Sequence, residues 1–455
     1  MTFLGLDSQQ YKTISGIALP IALQSAILAV LSMADVLMVH DLGPAAIASV
    51  GAAVKWHFVA IMIMAGFGSA CGSLVAQYWG KGQRSKAAWI NWYAVRSGAW
   101  VMLPLTAMVF IFAEQMLSVQ STDAQVIAYG SSYLIYSLPL LLLTHVIIAI
   151  ESSLRSSGQT LLPMALVTFT VVVNIVLNYV LIPIYGVKGA AIATTLARVM
   201  HLCAFLLVLY KTKSWLFEVY QEKISPQLKG DFKALVLPSV AASLVWGLGT
   251  LVYQIVIGRM GTQELAVFSL LGPFESLCYS IFFGLAAACS VLVGQSLGRN
   301  DFAKARLFAR FFIVSIPSIC VVLGVALWLA REPVLALLHL DGAELLPVAL
   351  PTFAIFCAVM WMRMGNMVMV MGILRAGGQV NFCLRGDIIG MWLIAVPLVF
   401  YGAFIGKWDF QWVYLALWTE EICKFGIFFY GYRRGLWLRN LTRDDEELES
   451  LVSTA

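Results

Sequence analysis

Twelve long apolar runs constrain this chain more than any other feature of its sequence. Each has about 20 residues, the length that an α-helix needs to cross the hydrocarbon core of a bilayer. Their limits are 15–39, 46–76, 88–112, 125–150, 160–182, 188–210, 233–258, 264–294, 306–330, 346–373, 385–405 and 410–432. Because lipid cannot satisfy backbone polar groups, each run must be helical. We therefore predict an all-α membrane protein with twelve transmembrane helices.

The composition excludes several other classes of protein. Only 12% of the 455 residues are charged and the mean hydropathy is +0.86, which rules out a soluble globular domain. The net charge of +5 is spread thinly and leaves no basic patch for nucleic acid. The eight cysteines lack metal-type spacing, and no P-loop, zinc-type histidine pair or cofactor fingerprint occurs. We expect no bound metal and no cofactor.

The loop charges predict the orientation of the chain. The first run follows Tyr11-Lys12 without a small-residue cleavage pattern, so we expect a retained span and not a signal peptide. Short loops rich in Lys and Arg resist translocation. The basic loop residues lie on the side of the N-terminus, with the exceptions of Lys188, Arg259, Arg331 and Lys407. Both termini are therefore predicted to be cytoplasmic.

An internal repeat divides the chain into two halves. Leu19-Pro20 recurs as Leu237-Pro238, which lies 218 residues later. At the same offset Gly66 corresponds to Gly284, and Gln77-x-x-Gly80 corresponds to Gln295-x-x-Gly298. At an offset of 220 residues, Leu154-Arg155-x-x-Gly158-Gln159 corresponds to Leu374-Arg375-x-x-Gly378-Gln379. Chance similarity between apolar helices would not keep Pro, Gly, Gln and Arg in step. The sequence therefore indicates a duplication.

The duplication predicts the domain organisation. We expect an N-lobe at 1–211, a cytoplasmic linker at 212–232, a C-lobe at 233–434 and a cytoplasmic tail at 435–455. Six spans in each half leave both halves in the same orientation. Two pseudo-symmetric six-helix bundles that face each other enclose a central cavity, which is the architecture of alternating-access transporters. Transport is therefore the favoured function.

Asp35 is the most informative polar residue inside a predicted span. It lies about one helical turn, roughly 6 Å, before the end of the first run. An intramembrane acid is costly, so it predicts a functional site. Asp35 either takes and releases a proton or coordinates a cation during each cycle, or it is simply an acid near the interface that water or a basic neighbour keeps ionised.

Two further features of the first half could act together with Asp35. Asn174 and Asn178 are four residues apart and share one helix face, where they could orient a carboxylate or serve as interhelical hydrogen bonds. Pro20 interrupts the helical hydrogen bonds of the first span and is either a hinge or a static bend. The second half keeps Pro238 but has Tyr253 in place of Asp35.

Other intramembrane polar residues permit two interpretations. His57 of the second span corresponds to Glu275 of the eighth, and these residues, with Tyr253, could line the cavity or form structural pairs. Glu420, Glu421 and Lys424 form a local network in the last span, with Glu420 and Lys424 at i,i+4 spacing. The run of six methionines within 360–371 suits either packing or an adaptable drug surface.

Taken together, these motifs are similar to those of the multidrug and toxic compound extrusion (MATE) transporters, in particular the bacterial DinF-like and NorM-like members. The resemblance rests on Pro20…Asp35, Gln77-x-x-Gly80, Leu154-Arg155-x-x-Gly158-Gln159, Asn174-x-x-x-Asn178 and Gly186-x-x-Gly189, and in the second half on Asp387, Trp392 and Arg434-Gly-Leu-Trp437. It implies a two-lobed exporter that exchanges H⁺ or Na⁺ for lipophilic, often cationic drugs. Asp35 matches the coupling acid of such relatives, and Pro20 matches a proline at which their first helix bends.

The resemblance and the residues lead to one predicted function and several alternatives. We predict a proton-coupled multidrug efflux antiporter, acting as a monomer on cationic amphiphiles, with H⁺ as the coupling ion. Sodium is less suited because the acids that NorM-type members carry on helices seven and ten are absent and helix five offers amides. A lipid-precursor flippase is the alternative transporter. A membrane-embedded enzyme would rest only on Glu275, His57 and the acids of the last span.

Overall fold

The computed structural model of the chain describes residues 6–39, 42, 44–119, 123–218 and 226–442. Within them it describes the side chains except those of residues 32–37, 39, 44, 45, 47, 48 and 262. Regular structure in these ranges is entirely helical, without strands. The predicted all-α class is therefore confirmed.

Twelve membrane helices follow one another along the chain. They are α1 (Ser8–Val39), α2 (Pro44–Gly80), α3 (Arg84–Ser118), α4 (Ala124–Tyr136 and Leu138–Ser156), α5 (Leu161–Tyr185), α6 (Val187–Lys211), α7 (Pro226–Met260), α8 (Thr262–Gly298), α9 (Phe302–Leu329), α10 (Leu346–Leu374), α11 (Val380–Ile405) and α12 (Phe410–Leu417 and Thr419–Arg433). Within the described ranges, eleven contain an uninterrupted helix long and apolar enough to cross a membrane. The twelfth, α12, is divided into two shorter segments at Trp418.

The first lobe (α1 to α6) and the second lobe (α7 to α12) meet through a few helices. Helix α1 packs along α8, and α2 packs along both α7 and α8. A Cβ on Gly66 of α2 would lie 2.5 Å from Val240 Cα, and one on Gly284 of α8 would lie 2.8 Å from Ala22 N. These two contacts are related by the repeat, so the lobes pack about a pseudo-twofold axis.

The lobes are also in backbone contact on the side where α1 begins and α12 ends, called here the termini side. Gly80 lies against the Gln295 carbonyl, and Gly298 lies against the Gln77 carbonyl. Gln77 Nε2 donates to the Ala376 carbonyl at 2.7 Å, and Gln295 Nε2 donates to the Ser156 carbonyl at 2.9 Å. The duplicated Gln-x-x-Gly motif therefore closes the molecule on this side.

The segment after α12 crosses the same contact between the lobes. Leu441 N donates to Gln77 Oε1 of the first lobe at 2.6 Å. Asn440 Nδ2 donates to Asn300 Oδ1 of the second lobe at 2.7 Å, and the Trp437 side chain is buried. The first residues of the predicted tail are therefore part of the folded molecule, while 443–455 lie outside the described residues.

Helix α7 begins earlier than the apolar pattern indicates. In the described residues it extends back to Pro226, inside the predicted linker, and a proline is compatible with the first turn of a helix. Residues 226–232 are too polar for a hydropathy pattern, but Leu228 and Phe232 are buried in a cluster with first-lobe residues such as Phe205. The helix start is thus defined by packing between the lobes.

Gly284→Ala tests the close packing of α1 against α8. The added methyl group would meet Ala18 and Ala22, so we expect a lower melting temperature in detergent, equivalent to about 1–3 kcal/mol of overpacking. Gly272→Ala is the matched control, because Gly272 lies on the same helix with open space around it. Equal melting temperatures for the two variants would contradict the packing described here.

Candidate functional site

Pro20 lies within α1 and its side chain is buried. A proline has no backbone N–H, so the carbonyl four residues earlier loses its helical donor. That carbonyl belongs to Gly16, and it accepts a hydrogen bond of 2.9 Å from Thr160 Oγ1, just before α5. The hydrogen bond that α1 lacks at Pro20 is therefore replaced by one from a side chain in the turn between α4 and α5.

A second contact holds α1 one turn after the proline. Gln24 Nε2 donates to Glu151 Oε2 of α4 at 3.2 Å. Glu151 is buried in the first lobe, and the same oxygen pairs with Arg155 at 3.0 Å. Together, Thr160 and Glu151 contact α1 on both sides of Pro20, and we name these two contacts the hinge clamp.

The hinge clamp belongs to a turn whose sequence is repeated. Gly158 has φ +89° and closes α4, and Gly378 has φ +78° at the corresponding turn of the second lobe. Glycine adopts this left-handed conformation without the steric cost of a side chain. The second lobe has Val380 in place of Thr160, so only the first lobe can donate a hydroxyl to a freed carbonyl.

The two amides of α5 form a buried polar chain. Asn178 Nδ2 donates to Asn174 Oδ1 at 3.0 Å, and Asn174 Nδ2 donates to Thr194 Oγ1 of α6 at 3.2 Å. Both asparagines are buried, and α5 packs directly against α1. An amide can donate to an ionised carboxylate or accept from a protonated one, so this chain can respond to a charge change on a neighbouring acid.

Asp35 lies in the last turns of α1, and its side chain is outside the described side chains. The backbone places it on the helix that packs against α5 and on the far side of Pro20 from the start of α1. The coupling role of Asp35 therefore stays a prediction, as does its contact with Asn174 or Asn178.

The three residues predicted to line a cavity have separate partners. His57 Nε2 is 3.0 Å from Ser137 Oγ in the first lobe. Glu275 Oε1 accepts from the Tyr414 hydroxyl at 2.8 Å, and Glu420 Oε2 accepts from the Tyr253 hydroxyl at 2.8 Å, both in the second lobe. The structure does not bring these three residues together, and their contact with substrate stays a prediction.

Sequence reasoning missed Thr160 and Glu151 as partners of α1. The signal available was the Leu-Arg-x-x-Gly-Gln motif, which precedes Thr160 directly. Its position beside Gly16, distant in sequence, depends on the tertiary packing of α1 and α5. A single sequence could not reveal this contact.

The fold and this first-lobe arrangement define a class. A two-lobed bundle of twelve membrane helices, with a proline inside its first helix, is the architecture of alternating-access transporters. The MatE family model matches residues 20–180 and again 238–401. The chain therefore belongs to the MatE family, and each match begins at one of the repeated prolines, Pro20 and Pro238.

Curated proteins and solved structures agree with this assignment. The chain is 29% identical over 404 residues to the probable multidrug resistance protein NorM of Rhizobium meliloti, covering 82% of this chain and 84% of that protein. It is 23% identical to the probable multidrug resistance protein YoeA of Bacillus subtilis, covering 94% of each. The fold matches the Vibrio cholerae MATE transporter VcmN D35N mutant with TM-score 0.87 and 18% identity, covering 95% of this chain and 98% of that chain.

Thr160→Val tests the hinge clamp. The valine removes the donor to the Gly16 carbonyl, so we expect the free energy of unfolding to fall by about 1 kcal/mol. Thr168→Val on α5 is the control, because Thr168 is exposed and its hydroxyl donates to a carbonyl of α5 itself. A surface substitution of this kind changes the free energy of unfolding by no more than roughly 0.5 kcal/mol. Unfolding in detergent measures the loss of stability in both variants. Equal losses in Thr160→Val and Thr168→Val would contradict a stabilising contact between Thr160 and α1.

Proposed function

We propose that the protein is a proton-coupled multidrug antiporter that exports lipophilic, often cationic compounds by alternating access. The hinge clamp on the helix that carries Asp35 is the observation that carries the proposal. The fold class and the names of the NorM and YoeA relatives support small drug-like substrates. The loop charges support a cytoplasmic position for the termini side, in a bacterial inner membrane.

The proposed cycle couples the charge of Asp35 to the shape of α1. With Asp35 ionised, a cationic drug binds from the cytoplasm, held by apolar contacts and by that charge. After the lobes rock outward, an external proton neutralises Asp35 and the chain through Asn178 and Asn174 rearranges. Helix α1 then bends at Pro20 and the drug loses its counter-charge. Protonation and drug binding must oppose each other, because otherwise the gradient does no work.

Three features of the first lobe support this cycle. The hinge clamp fixes the part of α1 that precedes Pro20 through the Gly16 carbonyl. The contact between Gln24 and Glu151 is the one that must shift when the outer part of α1 moves. The amides of α5 are neutral, so they suit a proton better than a hard metal cation, which prefers several anionic oxygens.

Asp35→Asn tests the coupling assignment. The variant cannot change its charge at this position, so we expect pH-driven drug counterflow in proteoliposomes to be lost, while drug binding to purified protein changes less. Asp341→Asn, a change of an exposed loop acid, is the matched control and should transport like the wild type. Export by Asp35→Asn in proportion to an imposed pH gradient would exclude Asp35 as the coupling residue.

A further inference from the structure

The second lobe has its own polar site at the position equivalent to Asp35. That position is Tyr253 on α7, one repeat later, and its hydroxyl donates to Glu420 Oε2 of α12 at 2.8 Å. Tyr253 is 3% exposed and Glu420 is 2% exposed. The helix with the repeated proline therefore carries an acid, Asp35, in the first lobe. In the second lobe it carries Tyr253, the direct partner of an acid.

Glu420 competes with another carboxylate for one cation. Lys424 Nζ lies 3.2 Å from Asp387 Oδ1 of α11 and 3.8 Å from Glu420 Oε2. All three side chains are buried, so water does not screen them effectively. One ammonium cannot fully neutralise two carboxylates in such surroundings, and an uncompensated buried charge is costly.

The acids around Glu420 outnumber the bases. Arg363 of α10 pairs with Glu421 at 3.7 Å, and Glu275 of α8 is bonded to the Tyr414 hydroxyl. The groups next to Glu420 are Tyr253, Arg363, Glu421 and Lys424. Asp387 joins this set through Lys424, and Glu275, Tyr279 and Tyr414 join it through Arg363 and one another. This set contains four carboxylates and two cations, so its charge is balanced only when it binds protons.

Two orphaned atoms show independently that the site is short of hydrogen-bond partners. Asn366 is 4% exposed; its Nδ2 donates to Glu421 Oε2 at 2.7 Å, while its Oδ1 has no donor among the described residues. Trp418 Nε1, also buried, has no acceptor in the same part of the chain. If the carboxyl group beside Asn366 carries a proton and the amide of Asn366 rotates by 180°, that carboxyl group can donate a hydrogen bond to Asn366 Oδ1.

The helices that form the site are irregular at this level. Helix α12 is interrupted at Trp418, immediately before Glu420 and Glu421. Helix α10 has a π-helical turn at Val368–Leu374 and α11 has one at Ile388–Ala395, directly after Asp387. Wide turns of this kind are rare and are frequently found at functional sites.

A chain of aromatic rings links the site to a pocket on the side of the second lobe opposite the termini. A cavity of about 500 Å³ lies there, lined by Arg259, Glu264, Lys407, Asp409 and Phe410 among others. From Phe410, the rings of Tyr414 and Trp418 follow at i+4 intervals on one face of α12, with centroids 6.0 Å and 6.1 Å apart. Glu275 joins this face through Tyr414, midway between the cavity and Glu420.

We infer that Glu420, with Lys424 and Asp387, is a second proton-binding site, which acts on α7 through Tyr253. When Glu420 is ionised it shares Lys424 and accepts from Tyr253; when a proton binds, Lys424 pairs with Asp387 alone and the bond to α7 weakens. A metal cation is disfavoured because Lys424 and Arg363 already supply positive charge there. This inference rests on the proposed function. The second site would take up one further proton in each transport cycle.

The test counts protons in proteoliposomes under a fixed pH gradient. Glu420→Gln should still export drug through Asp35, but with one proton fewer taken up per drug molecule. Glu332→Gln is the control, because Glu332 is an exposed acid of the same lobe and should leave the ratio unchanged. An unchanged ratio in Glu420→Gln overturns the inference.

A second readout does not depend on transport. In difference infrared spectra of purified protein after a pH jump, the wild type should show a carboxylic-acid C=O band that Glu420→Gln removes and Glu332→Gln keeps. Tyr253→Phe, which removes only a hydroxyl, should shift the pH midpoint of that band and serves if Glu420→Gln does not fold. A band that persists in Glu420→Gln, or one that Na⁺ displaces at constant pH, contradicts a proton site.

The two proposals fail in different ways. If Asp35→Asn keeps pH-driven export and Glu420→Gln loses it, the first-lobe assignment fails and the second-lobe site stands. If Asp35→Asn loses export and Glu420→Gln keeps both its proton ratio and its infrared band, the second-lobe site fails alone.

Discussion

The hydrogen bond from Thr160 to the Gly16 carbonyl is the interaction on which the first lobe depends. A proline leaves the carbonyl four residues earlier without its helical donor, and another group of the protein can supply that donor. Here the donor comes from the turn that joins α4 to α5, and not from α1 itself. The part of α1 around Pro20 is therefore attached to the rest of its lobe, by Thr160 before the proline and by the bond of Gln24 to Glu151 after it.

The two lobes share a backbone but use it differently. Their closest contacts follow the repeat: Gly66 and Gly284 allow the helices to approach, and Gln77 and Gln295 form equivalent hydrogen bonds. The polar groups of the two lobes, in contrast, are not related by the repeat. The first lobe has Thr160 and Glu151 in contact with α1 on either side of Pro20, whereas the second has Val380 in place of Thr160 and a network of acids and bases around Tyr253. Duplication supplied the scaffold, and the chemistry of each half diverged.

Much of the fold could be predicted from the sequence, because a bilayer leaves few alternatives for apolar runs of span length. The twelve runs agree closely with the helices, and the duplicated Gln-x-x-Gly motif marks the contact between the lobes. The break of α12 at Trp418 could not be predicted, since no Pro or Gly marks it. The start of α7 at Pro226 was also missed, because its first turns are polar and are buried only by the other lobe.

The sites were predicted less completely, for a related reason. Asn174 and Asn178 could be placed on one face from their spacing, and the structure joins them by a hydrogen bond. The pairing of Glu420 with Lys424 was predicted from i,i+4 spacing and is confirmed at 3.8 Å. Their contacts with Tyr253 and Asp387 were not, because these join helices far apart in sequence. Local spacing identifies partners within a helix, whereas partners between helices require the packed structure.

The central claim is that a proton gradient, sensed in the first lobe, drives drug export. The most direct measurement is drug uptake into inverted membrane vesicles with the pH and Na⁺ gradients imposed one at a time. We expect the pH gradient alone to drive uptake and the Na⁺ gradient alone to drive none. Uptake driven by Na⁺ at equal pH on both sides, with no response to the pH gradient, would contradict the claim.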